Sequence, residues 1–129
     1  MINYGFTKEL GLPFAAAVEA VTGALKAEGF GILSTIDVRE KFREKLGIEF
    51  PNYVILGACN PPSAHKAILA EENIGLLLPC NVIVYEKSGK TAVGIIKPTV
   101  AMGMVDNQAL RPLALEVEAR LKRVFDSLS

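Results

Sequence analysis

The sequence predicts an α+β fold in the order βαβαβαββα, and three observations carry that prediction. Short apolar or alternating runs recur along the chain, separated by helix-length segments with apolar residues three and four apart. Two of those segments, one near each end, are long and keep a single apolar stripe. A Ser88-Gly89 turn signal joins two β-type runs into a hairpin, which demands an antiparallel pair and excludes a purely parallel doubly wound sheet. The expected arrangement is a sandwich in which the first and last helices cover one face of one sheet.

Residues 2–8 read as the first strand, with Ile2, Tyr4 and Phe6 alternating against Asn3, Gly5 and Thr7. A helix follows over 13–28, where Phe14, Val18, Val21 and Leu25 form one stripe and Glu28-Gly29 supplies the stop. Residues 30–36 make the second strand. Asp37, with Glu40 three residues on, starts a short helix that Gly47 closes. Only Phe42 and Leu46 give it an apolar edge, and its mixed charges form a solvated face.

Residues 53–56 form the third strand, running toward Cys59. Asn60 is a good N-cap and Pro61 a good first helical residue, so a helix is placed over 61–73. Residues 76–78 and 82–85 read as a strand broken or bent near Pro79, and 91–96 as its hairpin partner. An uncharged connection over 98–105 leads to the last helix at 106–128. Its stripe is Leu110, Leu113, Val117, Leu121, Val124 and Leu128. Asp106 suits its N-cap, while Pro112 moves the regular helix toward a start near 111.

The 129 residues make a single domain, 1–129, with 50% hydrophobic content. Fourteen basic residues balance fourteen acidic ones, and a domain without basic excess is a poor partner for nucleic acid. No run reaches the roughly 18 apolar residues that a membrane crossing needs. The first residues lack the pattern of a signal peptide, so a cytoplasmic location with reduced thiols is expected.

The local chemistry concentrates at two uncharged segments, Gly57-Ala58-Cys59-Asn60-Pro61-Pro62 and Leu78-Pro79-Cys80-Asn81. Cys59 falls just before a predicted helix N-terminus. Unpaired N–H groups and the helix dipole there can lower a thiol pKa and favour a nucleophile or a metal ligand. The same position equally suits a small residue at the end of a buried strand. Cys80 begins the next strand, so the intervening helix can bring the two thiols together as a redox couple, a two-thiolate site or an anchor for an electrophile.

His65, the single histidine, lies about one turn into the same helix, within reach of the thiol or on the solvent side. Met102 and Met104 add two thioethers, which with Cys59 and Cys80 would make a soft set suited to monovalent copper, or would simply fill core. Glu86 and Lys97 end the hairpin strands and would form a surface pair or face a cleft. No phosphate loop, dinucleotide fingerprint, HExxH or GxSxG pattern occurs.

Gly57-Ala58-Cys59-Asn60-Pro61 with Ala64, together with Leu77-Leu78-Pro79-Cys80-Asn81-Val82 and the Val84-Tyr85-Glu86 strand, resembles the prokaryotic domain-of-unknown-function family 302. The resemblance spans nearly the whole chain. It implies a TATA-binding-protein-like α+β arrangement, a curved and mainly antiparallel sheet under long helices, in small proteins that form homodimers. It points to Cys59, Asn60, Pro61 and Cys80 and assigns no role to any of them.

The leading expectation is a homodimeric binding module holding a small ligand or soft metal at Cys59, Asn60, Pro61, His65 and Cys80. No cofactor is specified. The alternatives are an enzyme using Cys59 as a thiolate, resolved by Cys80 and assisted by His65, and a structural homodimer with core cysteines. In the last case Leu115, off the final stripe, would mark a subunit contact.

Overall fold

A computed structural model of the chain describes residues 2–129, in which five strands form one fully antiparallel sheet. The elements are β1 (Gly5–Leu10), α1 (Phe14–Ala27), β2 (Gly31–Asp37), α2 (Val38–Leu46), β3 (Tyr53–Cys59) and α3 (Pro61–Ala70). A 3-10 helix (Glu72–Leu77) follows, then β4 (Cys80–Lys87), β5 (Lys90–Ile96), α4 (Pro98–Met102) and α5 (Leu110–Ser127). The strand order is β1-β5-β4-β3-β2. The mixed helix-and-strand class and the antiparallel hairpin are as the sequence predicts.

Alternation builds the core. Val54, Leu56 and Ala58 of β3 face the same side as Cys80, Val82 and Val84 of β4 and Val93 and Ile95 of β5, and all are buried. Ala17, Val21 and Leu25 of α1 and Val117, Leu121 and Val124 of α5 close over that face. At about 25 cal/mol per Å² of apolar surface removed from water, this single layer is the main favourable term in the fold. A smaller cluster of Ala67, Ile74, Met102, Leu110 and Ala114 packs beside it where α3, α4 and α5 meet.

The hairpin turns through Ser88 and Gly89, both at positive φ (53° and 76°), and Lys87 pairs with Lys90. Positive φ at both central residues is the turn that matches strand twist. Asp37 caps α2 by accepting from the Glu40 N–H at 3.0 Å, and Gly47 ends it in the left-handed conformation.

Several boundaries move, each for a physical reason. The first strand runs over Gly5–Leu10 rather than 2–8, and Tyr4 is 59% exposed. Lys8 looks like a strand end in the sequence, yet its ammonium lies 4.4 Å above the Phe125 ring, so the strand continues through it. The expected strand at 76–78 is instead the end of the 3-10 helix, which buries Ile74 and leaves Leu76 outside. α3 stops at Ala70 rather than 73, where Asn107 Nδ2 donates to the Ala70 carbonyl at 2.8 Å. The uncharged 98–105 connection contains α4, begun by Pro98. α5 starts at Leu110 with Pro112 in its first turn. Asp106 does not cap it: the N-cap is Ala109, with no side-chain bond, and Asn107 Oδ1 accepts the Ala109 N–H at 3.0 Å in the turn before the helix.

β3 extends three residues past Leu56, through Gly57 and Ala58 to Cys59. Gly57 makes that possible. A Cβ there would run into Ser34 Oγ and come within 2.8 Å of Pro79 Cγ, so β2 and the chain entering β4 close over bare backbone. Gly57→Ala is therefore expected to destabilise the protein by about 1–3 kcal/mol, read as a lower denaturant midpoint at unchanged slope. Gly23→Ala, on α1 where a Cβ meets nothing within 4 Å, should instead stabilise by up to about 1 kcal/mol. Equal stability of Gly57→Ala and the parent would refute the close approach.

Candidate functional site

The two thiols lie at one end of the sheet. Ala58 and Cys80 are cross-strand partners, so Cys59 is the residue next to the partner of Cys80. α3 leaves β3 at Cys59, crosses the helical side, and the chain returns into β4 at Cys80. Both cysteines are free, Cys59 half-buried and Cys80 buried.

A cavity of about 260 Å³ opens beside them, between the sheet end, α3 and α5. Phe30, Ala58, Cys59 and Cys80 line its sheet side, Ala64, Ala67 and Ile68 its α3 side, and Leu113 and Val117 its α5 side. Leu33, Leu78, Pro79 and Met102 complete the apolar wall. No charged side chain lines it, and its polar members are Asn60 and Ser63.

The Asn60 side chain is already engaged, and it caps the helix at the Ser63 N–H. Asn60 Oδ1 accepts the Ser63 N–H at 3.1 Å, and Asn60 Nδ2 donates to the Gly29 carbonyl at 3.1 Å. The Ala64 N–H donates to the Asn60 carbonyl at 2.9 Å. Pro61 and Pro62, the first two residues of α3, have no N–H to offer. The helix N-terminus beside Cys59 is thus largely closed: two donors are missing by composition, and the Ser63 N–H is used by Asn60 Oδ1. At those three positions a thiolate at Cys59 finds no free N–H.

The thiol acidities follow. Burial pushes the Cys59 thiol above its ordinary value. Burial, and then repulsion from the neighbouring Cys59, push Cys80 to about 11. The expected lowering of the Cys59 pKa by the helix N-terminus is not seen, because burial of the thiol dominates.

The remaining predicted residues disperse. Pro61 is exposed and outside the cavity lining, as is His65, which lies on the outer side of α3. Met102 lines the cavity, whereas Met104 is 74% exposed and does not. Among the described residues no three His, Cys, Asp or Glu side chains group as ligands for a metal. Glu86 and Lys97 do not pair: Glu86 Oε1 accepts from Asn52 Nδ2 at 2.6 Å, and Lys97 Nζ lies 5.0 Å over the Phe6 ring. Leu33, Ile68, Leu78 and Leu113 reach the cavity without any signal in the sequence beyond hydrophobicity.

The family model described as a domain of unknown function, DUF302, matches residues 6–128. The chain belongs to the DUF302 family. It is similar to an uncharacterised conserved DUF302 protein from Bacillus stearothermophilus whose crystal structure is known. The two share 35% sequence identity over 98% of each chain, with a TM-score of 0.91. No curated protein matches the chain. No helix among the described residues of this DUF302 domain is long and apolar enough to cross a membrane.

The acidities give a sign that can be tested. In the folded state Cys80 holds its proton above the pH at which the unfolded chain releases it, so unfolding releases a proton between about 9 and about 11. Stability from this thiol is present below that window and falls as pH rises through it. Denaturation across pH 8–11 should show the fall, and Cys80→Val should flatten it. Native alkylation should reach Cys59 first, with a midpoint above the ordinary thiol range. A Cys59 midpoint well below about 8.5 would contradict the closed helix terminus.

Proposed function

We propose that this DUF302 domain is a binding module for one small, uncharged, apolar molecule held in the cavity beside Cys59 and Cys80. The observation that carries this reading is the wall itself: apolar side chains from the sheet, α3 and α5 converge there without a charge, and the Asn60 side chain among them is already hydrogen-bonded. A charged organic ligand would lose its hydration and meet no oppositely charged side chain in the lining. Neither thiol is activated, so the reading is binding rather than nucleophilic catalysis. The one-sided cover of a five-stranded antiparallel sheet by α1 and α5 supports the TATA-binding-protein-like reading, an architecture that serves many unrelated functions.

A homodimer is a second part of the proposal, and the β2 edge favours it. β2 pairs only with β3 and carries no charge before Asp37, while Leu33 and Ile36 are 67% and 44% exposed. Such an edge is a template for another strand. A second copy pairing β2 with β2 about a two-fold axis would cover Leu33, at the mouth of the cavity. Leu115, 56% exposed on α5, belongs to the lining of a different hollow and has no part in this arrangement.

The neutral fluorophore N-phenyl-1-naphthylamine should bind saturably, one per chain, and be displaced by a medium-chain alcohol. Ala64→Phe, at a half-buried lining position, should fill the cavity and weaken binding by about tenfold or more, equivalent to about 1.4 kcal/mol. Binding that ignores Ala64→Phe would remove this cavity as the site. Light scattering on a sizing column should give twice the chain mass for the parent and the single mass for Ile36→Lys, an edge charge that blocks strand pairing. A parent that runs as a monomer at micromolar concentration would remove the dimer.

A further inference from the structure

Three sulfur-bearing side chains, Cys59, Cys80 and Met102, line the same small cavity. They come from β3, β4 and α4, elements that the chain order keeps far apart and only the fold assembles. The wall offers no carboxylate and no imidazole beside them. Zinc in a closed structural site takes four nitrogen, sulfur or oxygen donors, and hard cations take oxygen, so the wall suits neither. Thiol and thioether together are the donors of a soft monovalent ion.

Resting on the reading of the cavity as open to a small guest, we propose that it also takes one monovalent soft cation of the Cu(I) class, held by the Cys59 thiolate and the Met102 thioether, with Cys80 beside them as a neutral thiol. Charge decides between the possible forms. A bis-thiolate complex of a monovalent ion carries a net negative charge, which this uncharged wall cannot compensate. One thiolate on one monovalent cation is neutral.

The step balances without a redox partner. The Cys59 S–H bond breaks, its electron pair stays on sulfur and forms the S–Cu bond, and the proton leaves to solvent. The Met102 sulfur donates a lone pair, and no oxidation state changes. Cys59 is the more accessible of the two thiols, so it is the one that meets an ion entering from outside. Met104, two residues past Met102 and 74% exposed, lies outside the lining and serves as the matched control.

The test is an anaerobic titration with Cu(I), supplied from its coloured bicinchoninate complex, with released protons counted in weak buffer. The expected result is one ion and one proton per chain. Cys59→Ser and Met102→Leu should each weaken binding by about tenfold or more, and Met104→Leu should leave it unchanged. Met102→Leu conserves volume, so its denaturant midpoint should stay close to the parent's while the ion is lost. Failure of the parent to compete for Cu(I), release of two protons, or Met102→Leu binding like the parent would overturn the inference. Fluorophore binding without Cu(I) binding sinks the ion and leaves the apolar-ligand reading standing. Cu(I) binding without fluorophore binding sinks that reading and leaves the ion.

Discussion

The pairing of β3 with β4, with Ala58 opposite Cys80, is the constraint on which the rest of the molecule depends. It sets the core ladder, because Leu56 then faces Val82 and Val54 faces Val84 on the side that α1 and α5 cover. A slip of one residue would turn both sets outward. The same register brings the start of β4 against the end of β3, so Pro79 closes over Gly57 and the two thiols become neighbours. α3 is the crossover that this pairing forces to fold back, and the cavity is the space left between that crossover and α5.

The chemistry at that end of the sheet is governed by closure. A helix N-terminus ordinarily presents four unsatisfied N–H groups, which makes it an anion site. At α3 two of them are removed by Pro61 and Pro62, and the Ser63 N–H is taken by Asn60 Oδ1. With no cation in the wall, burial raises both thiols, and repulsion from Cys59 adds to it at Cys80. The place where a reactive cysteine looks most plausible from the sequence is therefore one that keeps its thiol neutral. Neutral thiols among Phe30, Ala67, Leu113 and Val117 suit apolar guests and soft ions.

Local signals were legible in the sequence wherever one residue's chemistry decides the outcome. Asp37, Gly47, Asn60 and Ser88-Gly89 act through their own backbone conformation or a bond three residues away, and each does in the structure what its type predicts. The stripes of α1 and α5 were legible because a 3.6-residue period survives any tertiary context. Errors occur where a distant partner overrides the local pattern. Lys8 packs over Phe125 inside a strand that pairs with β5 through Leu10, α3 ends where Asn107 reaches its last carbonyl, and Ile74 is buried while Leu76 is exposed.

The sequence by itself determined the order of the five strands and four longer helices, the antiparallel hairpin, the caps of α2 and α3, the family and the two cysteine segments, because each depends on residues close together in the chain. Tertiary structure alone decided that Cys59 and Cys80 adjoin, that Met102 joins their cavity while Met104 and His65 do not, and that the thiols are held neutral. Register and burial arise from contacts between elements that the chain separates by tens of residues. No local pattern encodes which face of α3 or α4 will meet the end of a sheet.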